Sequence, residues 1–226
     1  MPVIKTLPEA VARQIAAGEV VERPSSVVKE LIENALDAGA RSLWITTAGA
    51  GVDLIEVRDD GRGMSSEDAM MAPRNFATSK IENADELFRI ETFGFRGEAL
   101  AAISAVSTLN IITSDRDDGE GCQVTVEGKS DPVSRPAPHE RGTTVRIENL
   151  FFNTPARKKF LKSEITERRR ILETILGFAL VSPSLELHYA DDDRRVLDLV
   201  PTGTWEERVA AIMGGTTMTH MVAVEI

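Results

Sequence analysis

The sequence predicts an α+β fold, with helices packed on one face of a mostly antiparallel sheet. Two observations carry that prediction. Apolar residues at helical spacing are clearest in Pro24–Gly39 (PSSVVKELIENALDAG), whereas most others fall in short alternating runs paired across tight polar turns. Strands joined by so few residues pair antiparallel, because a parallel neighbour needs a long crossover.

The elements follow in order. Leu7 to Ala17 reads as a short amphipathic helix with Val11, Ala12 and Ile15 on one side, closed by Gly18. The central helix comes next: Pro24 suits its first turn, where the missing N–H is unpaired anyway, and Gly39 suits a left-handed C-terminal cap. Its apolar stripe is Val28, Leu31, Ile32, Ala35 and Leu36. At about 100° per residue, Glu30, Asn34 and Asp37 fall within roughly 60° of one another on the opposite side. Ser42–Ala48 and Asp53–Arg58 form a strand pair about the turn Gly49-Ala50-Gly51. The second strand ends abruptly in Asp59-Asp60-Gly61-Arg62-Gly63-Met64, where glycines two apart let the backbone turn sharply and lie close to a neighbour. Met64 to Phe76 reads as an interrupted helix, capped by Ser65 or Ser66 and broken at Pro73.

A short helix is expected around Ala84 to Phe88, and the glycine-hinged loop Thr92–Gly97 feeds another from Glu98 to about Ala105. Thr108–Thr113 and Cys122–Val126 are strands, Asp131–Arg141 a Pro-rich loop, Thr143–Glu148 a strand and Asn149–Pro155 a loop. A helix is expected from about Thr166 to Val181, then strands Leu185–Tyr189 and Arg195–Leu199 about an acidic turn. After Pro201, Trp205–Met213 reads as a helix and Met221–Ile226 as a strand with no partner after it. A second domain is therefore expected to begin near Thr202, dividing the chain into 1–201 and 202–226 and making it a piece of a longer protein.

Composition narrows the function classes. No run is long and apolar enough to span a membrane, and Met1 to Pro8 lacks the features of a signal peptide. The single cysteine, Cys122, allows no intramolecular disulfide, which fits a reducing cytoplasm. His139, His188 and His220 are scattered without ligand spacing and read as surface or packing residues. The formal net charge of −10 opposes phosphate binding overall, so nucleic acid would need a local basic patch. One stretch qualifies: Arg157, Lys158, Lys159, Lys162, Arg168, Arg169 and Arg170 against Glu164 and Glu167. A solvated helix face with snorkelling stems explains it equally well.

Four features ask for one explanation: the carboxylate-bearing helix face, the Asp59-x-Gly61-x-Gly63 turn, the loop Gly94–Gly97 opening a helix, and the start Gly142-Thr143-Thr144. A pocket between them could take a nucleotide without a P-loop, and GxxxxGK[ST] does not occur. Backbone N–H groups at Phe95 to Ala99 would face phosphate, with Thr78, Ser79 and Lys80 added to the cradle. A carboxylate at Asp59 would accept a hydrogen bond from an exocyclic amine and so favour adenine. Against guanine's oxygen the buried acid would lose on the order of 1–3 kcal/mol. Several residues have plainer readings beside these. Asp37 could cap or bond the adjacent loop, Gly61 and Gly63 could serve a tight turn, Arg96 could pair with Glu98, and Glu33 faces solvent or pairs with a base.

The ordered set Glu30-x-x-x-Asn34-x-x-Asp37-Ala38, Asp59-x-Gly61-x-Gly63, Gly94-Phe95-Arg96-Gly97-Glu98-Ala99-Leu100 and Gly142-Thr143 resembles the motifs of the GHKL ATPases. Within that superfamily, Gln14 to Pro24, Ala77-Thr78-Ser79-Lys80, Gly94 to Leu100 and Asn153-Thr154-Pro155-Ala156-Arg157 resemble the branch that serves DNA mismatch repair. The similarity runs from Leu7 to about Ala179 and continues more weakly beyond. One departure is Asp60, where that branch often has Asn.

The resemblance implies the GHKL (Bergerat) α/β sandwich and roles for the residues that match. Glu30 would be the general base and Asn34 the one protein ligand of Mg²⁺. Asp59 would anchor adenine, with Thr143 beside it through a water. Gly94, Phe95, Arg96, Gly97, Glu98, Ala99 and Leu100 would form the lid, with Thr78, Ser79 and Lys80 at its base, and Asp37, Gly61, Gly63 and Met64 would complete the ATP site. It also implies ATP hydrolysis, dimerisation when nucleotide is bound, a clamp on DNA, and coupling of mismatch-recognition proteins to downstream repair proteins. In such proteins a lysine from the second domain reaches the γ-phosphate, so slow hydrolysis is expected of this stretch alone. Two other readings stay open: a non-hydrolysing switch controlled by nucleotide, and another GHKL ATPase such as a topoisomerase subunit.

Overall fold

A computed structural model describes residues 21–74, 77, 97–128 and 130–214. The helix expected over Leu7–Ala17, the one around Ala84–Phe88 and the strand Met221–Ile226 lie outside the described residues.

Helix α1 spans Pro24–Asp37 and buries Val27, Val28, Leu31, Ile32 and Ala35 against the sheet. The Val, Leu and Ile side chains each contribute about 1.5–3 kcal/mol when fully removed from water. The helix ends as the glycine foretold. Gly39 sits at φ +77°, its N–H bonds Leu36 O at 2.9 Å, and the N–H of Ala40 reaches back to Ala35 O at 3.0 Å.

The strands are β1 (Ser42–Ala48), β2 (Leu54–Asp59), β3 (Thr108–Ser114), β4 (Glu120–Glu127), β5 (Val133–Pro138), β6 (Gly142–Glu148), β7 (Glu186–Asp191) and β8 (Arg194–Leu199). They form one eight-stranded sheet in the order β5-β4-β3-β6-β2-β1-β7-β8. Every neighbouring pair is antiparallel except β1 with β7, which run parallel. Helices cover the inner face: α1, α2 (Ser66–Met71), α3 (Ala99–Ser104), and α5 (Glu164–Val181) packed beside α1. A short helix α4 (Pro155–Phe160) precedes α5, and α6 (Trp205–Met213) packs on α5. The expected architecture, helices on one face of a mostly antiparallel sheet, is the one observed.

Two segments differ from expectation. The Pro-rich stretch 131–141 is not all loop, because β5 pairs with β4 along it. Pro136 and Pro138 are tolerated since β5 is an edge, where a missing N–H need not face a partner, and the prolines block further strands from adding. The other is α4, whose six residues bury nothing. Such a helix leaves no apolar stripe to read, although Pro155 at its start fits a first turn.

The open face is polar and locked by cross-strand pairs. Trp44 stacks on His188 with centroids 5.7 Å apart, and the Arg58 guanidinium lies 5.2 Å from the Trp44 ring centre. His188 also bonds Asp198 and Glu186, and His139 bonds Thr144, so both act as packing and surface residues.

Candidate functional site

Along β2, Ile55, Val57 and Asp59 point to the core; along β6, Thr143, Val145 and Ile147; along β3, Leu109, Ile111 and Thr113. The register puts Asp59 opposite Thr143, and Thr143 opposite Thr113. Three polar side chains thus form one row across three central strands, at a level where apolar residues would otherwise continue the core. A polar row inside a core costs free energy unless its members are bonded.

They are. The backbone N–H groups of Gly61 (2.8 Å) and Thr143 donate to the Asp59 carboxylate. Burial is the larger influence and pushes the Asp59 carboxyl up to about 6, with the neighbouring Asp60 charge adding to it. The Thr113 hydroxyl accepts the N–H of Met64 at 3.0 Å, donates to Gly142 O at 2.8 Å, and lies 3.0 Å from the Thr143 hydroxyl.

The turn after Asp59 is held in place by contact. Gly63 stands at φ +68°, and a Cβ there would overlap the Ser114 carbonyl. On Gly142 a Cβ would overlap the Asp59 carbonyl, and on Gly61 it would meet Ala38 O at 3.0 Å. The glycines therefore serve backbone approach at the end of the polar row. Asp60 accepts the N–H groups of Arg41 (2.7 Å) and Ser42 (2.9 Å) through one oxygen. An asparagine oxygen could do the same, so this departure from the motif is chemically neutral.

The turn also rests on α1, since the N–H of Arg62 donates to Ala38 O at 3.0 Å. Glu30, Asn34 and Asp37 run up the helix from there and are half-buried, not a solvated face. Glu30 lies about 10 Å along the axis from Asp37, at 1.5 Å per residue. Lys29 binds Glu33 at 2.6 Å and approaches Glu30 at 3.8 Å. Of the two readings of Glu33, pairing with a base is correct, and its side chain is buried.

Of the lid residues, Gly97, Glu98, Ala99 and Leu100 are described. Gly97 lies against the backbone of Ala77, so the residues that bracket 78–96 touch. Glu98 is the N-cap of α3, and Leu100 packs on the core. Thr78, Ser79, Lys80, Gly94, Phe95 and Arg96 lie outside the described residues.

The basic stretch divides. Arg168 bridges Asp191 and Asp192, the latter at 2.6 Å, and Arg169 binds Glu173 at 2.7 Å. Lys158, Lys159, Lys162 and Arg170 are exposed, Arg157 partly so.

Thr113 is the member of the row that sequence reasoning missed. Its signal was a hydroxyl in the core-facing phase of Leu109 and Ile111, two residues beyond an apolar pair.

A polar row closing one end of a half-buried acidic helix face is a candidate nucleotide site without a P-loop. The family model described as histidine kinase-, DNA gyrase B-, and HSP90-like ATPase matches residues 22–146, more than half of the chain. The chain belongs to that family. Its sequence is 44% identical over 229 residues to the DNA mismatch repair protein MutL of Anaeromyxobacter sp. (strain K), covering 100% of this chain and 37% of that protein. It is 46% identical over 211 residues to MutL of Thermodesulfovibrio yellowstonii, covering 93% of this chain and 39% of that protein. The chain thus spans well under half the length of these curated relatives. Among solved structures, the Aquifex aeolicus MutL ATPase domain complexed with ADP matches with a TM-score of 0.68 at 32% identity, covering 86% of this chain and 70% of that one. Over most of its length the chain is accordingly similar to the MutL ATPase domain.

Proposed function

We propose that this domain binds and hydrolyses ATP with Mg²⁺, working as a nucleotide-driven clamp that couples mismatch recognition to downstream repair. The observation that carries the reading is the junction of Asp59 and α1: a buried carboxylate, suited to accept from adenine, fixed to the base of a helix face bearing two carboxylates and a carboxamide. Relatives named for mismatch repair supply the biological setting.

The donors present fit the ligands. Asp59 is acceptor-only once ionised and matches an exocyclic amine, with Thr143 beside it. The Asn34 carboxamide offers Mg²⁺ the hard oxygen it favours. Held there by Asn34, Mg²⁺ would supply neutralisation of phosphate charge. Glu30 takes the proton of the attacking water and aims it, while the lid from Gly94 to Leu100, with Thr78, Ser79 and Lys80, excludes solvent. Met64, Gly61 and Gly63 shape the base end, and Asp37 lies where the helix meets the turn.

The same reading divides the chain at 201/202, with α6 leading into a second domain that supplies a phosphate-binding lysine; hydrolysis is slow without it. Among the described residues no helix is long and apolar enough to cross a membrane, and the proposed setting is cytoplasmic. DNA contact falls to Lys158, Lys159, Lys162 and Arg170, beside a nucleotide-dependent homodimer that is monomeric without nucleotide.

Single-turnover hydrolysis tests the assignment. Glu30→Ala should slow the step by about 10²–10⁴-fold, the usual worth of a positioned base, while ATP still binds. A variant as fast as the parent removes Glu30 from the role, and no turnover in the parent protein leaves a nucleotide switch.

A further inference from the structure

The Thr113 hydroxyl has one proton and three polar neighbours. Gly142 O is an acceptor, so the proton goes there at 2.8 Å. The N–H of Met64 is a donor, so Thr113 accepts from it at 3.0 Å. The remaining contact, 3.0 Å to Thr143 Oγ1, can then be a hydrogen bond only if Thr143 donates. Thr113 is fully buried, and no solvent relieves this constraint.

We propose that Thr113 is a positioning residue that sets the base preference of the site, by holding the Thr143 hydroxyl proton inward so that the pocket end offers only acceptors to a purine. The inference rests on the adenine-anchor reading of Asp59 and Thr143 and extends it. A 6-amino purine supplies the donors, directly or through a water, that such an end requires. A 6-oxo purine presents an acceptor to acceptors, and a fixed Thr143 cannot turn its proton to meet it. Without the Thr113 hydroxyl, Thr143 is free to rotate and donate to a 6-oxo group. Discrimination then falls, although no residue that touches the base has changed.

The probes are ATP and ITP, which share the sugar and phosphates and differ along one purine edge, with a 6-amino group and a bare N1 in ATP against a 6-oxo group and an N1–H in ITP. Dissociation constants are measured by equilibrium dialysis in Mg²⁺ buffer on the whole chain, for parent, Thr113→Val, Thr113→Ser, Thr143→Val and Asp59→Asn. Thr113→Val should lower the ATP-over-ITP preference by about tenfold, one hydrogen bond's worth, and Thr113→Ser should restore it. Equal weakening of both nucleotides by Thr113→Val, with the ratio kept, makes Thr113 a structural residue and overturns the proposal. Should Thr113→Val fail to fold, Thr143→Val decides: an unchanged ratio there overturns the proposal, because Thr113 acts only through that hydroxyl. Asp59→Asn separates the two levels. If it leaves ATP binding intact, the adenine anchor itself is misplaced; if it abolishes binding while the Thr113→Val ratio stays constant, only the Thr113 inference fails.

Discussion

The backbone N–H of Arg62 donates to the carbonyl oxygen of Ala38 at 3.0 Å, fixing the turn after Asp59 to the C-terminal end of α1. Asp59 and the acids of α1 come from segments twenty residues and more apart, and this contact holds them in one frame. Asp59 is therefore held as a rigid, buried acceptor.

Burial of Asp59 has a pH signature. Its pKa in the folded chain is raised from 3.8 to about 6, so the folded state holds the proton more tightly than the unfolded one. The resulting contribution to stability is fully present below about 3.8 and is lost as pH rises through about 6. At pH 8 the ionised group opposes folding by on the order of 1–3 kcal/mol. Asp59→Asn removes that penalty. Without nucleotide its melting temperature should exceed the parent's by more at pH 8 than at pH 5, while ATP binding is lost.

Two glycine substitutions should move stability in opposite directions. Gly63→Ala places a side chain at φ +68° and against the Ser114 carbonyl, and should cost roughly 1–3 kcal/mol. Gly177 lies inside α5 with open space where a Cβ would go, so Gly177→Ala should gain about 0.5–1 kcal/mol. Urea midpoints of both variants check the pair. A neutral Gly63→Ala would mean that the turn relaxes at little cost.

Much of this was legible because it is local. The ends of α1 are written in Pro24 and Gly39, and the turn after Asp59 in its glycines. What escaped depends on distant partners. An edge position licenses Pro136 and Pro138 in a strand, and only the sheet order says that β5 is an edge. Thr113 acquires meaning from its register with Thr143, on a strand thirty residues away. Arg168 sits in a run of bases, yet its partners Asp191 and Asp192 arrive from the end of β7 and the turn after it. The lid motif, although plain in sequence, is described only from Gly97 onward.

Arg168 should accordingly behave unlike the lysines near it. Asp191 is buried and also accepts from Thr47 at 2.7 Å, and the Tyr189 hydroxyl lies 3.0 Å from Thr47. Burial holds the Tyr189 phenol near 12, so it stays a neutral donor at physiological pH. Arg168→Ala leaves a buried carboxylate without its cation and should cost about 1–3 kcal/mol. Reversing Lys158, Lys159 and Lys162 to Glu should leave thermal stability nearly unchanged and flatten the salt dependence of DNA binding. A triple variant with the parent's salt slope would take the DNA site elsewhere.

Arg208 poses a question of sign. It is fully buried, and its Nη2 donates to Pro183 O and Leu185 O at 2.5 Å each, seating α6 on the end of α5. Its Nε and Nη1 have no hydrogen-bond partner among the described residues, and burial lowers its pKa. Against the two bonds, each worth about 1.5–3 kcal/mol when the donor is charged, stands a desolvation cost of several kcal/mol. Pro183 O would also keep the N–H of Thr202 at 2.9 Å after the guanidinium is gone. The opposing effects nearly cancel, so Arg208→Met, which keeps the stem, should fall within about 1 kcal/mol of the parent. Arg208→Ala also empties the space between the helices and should cost about 2–5 kcal/mol. Denaturant midpoints decide: if Met falls as far as Ala, the charge rather than the packed stem holds α6 in place.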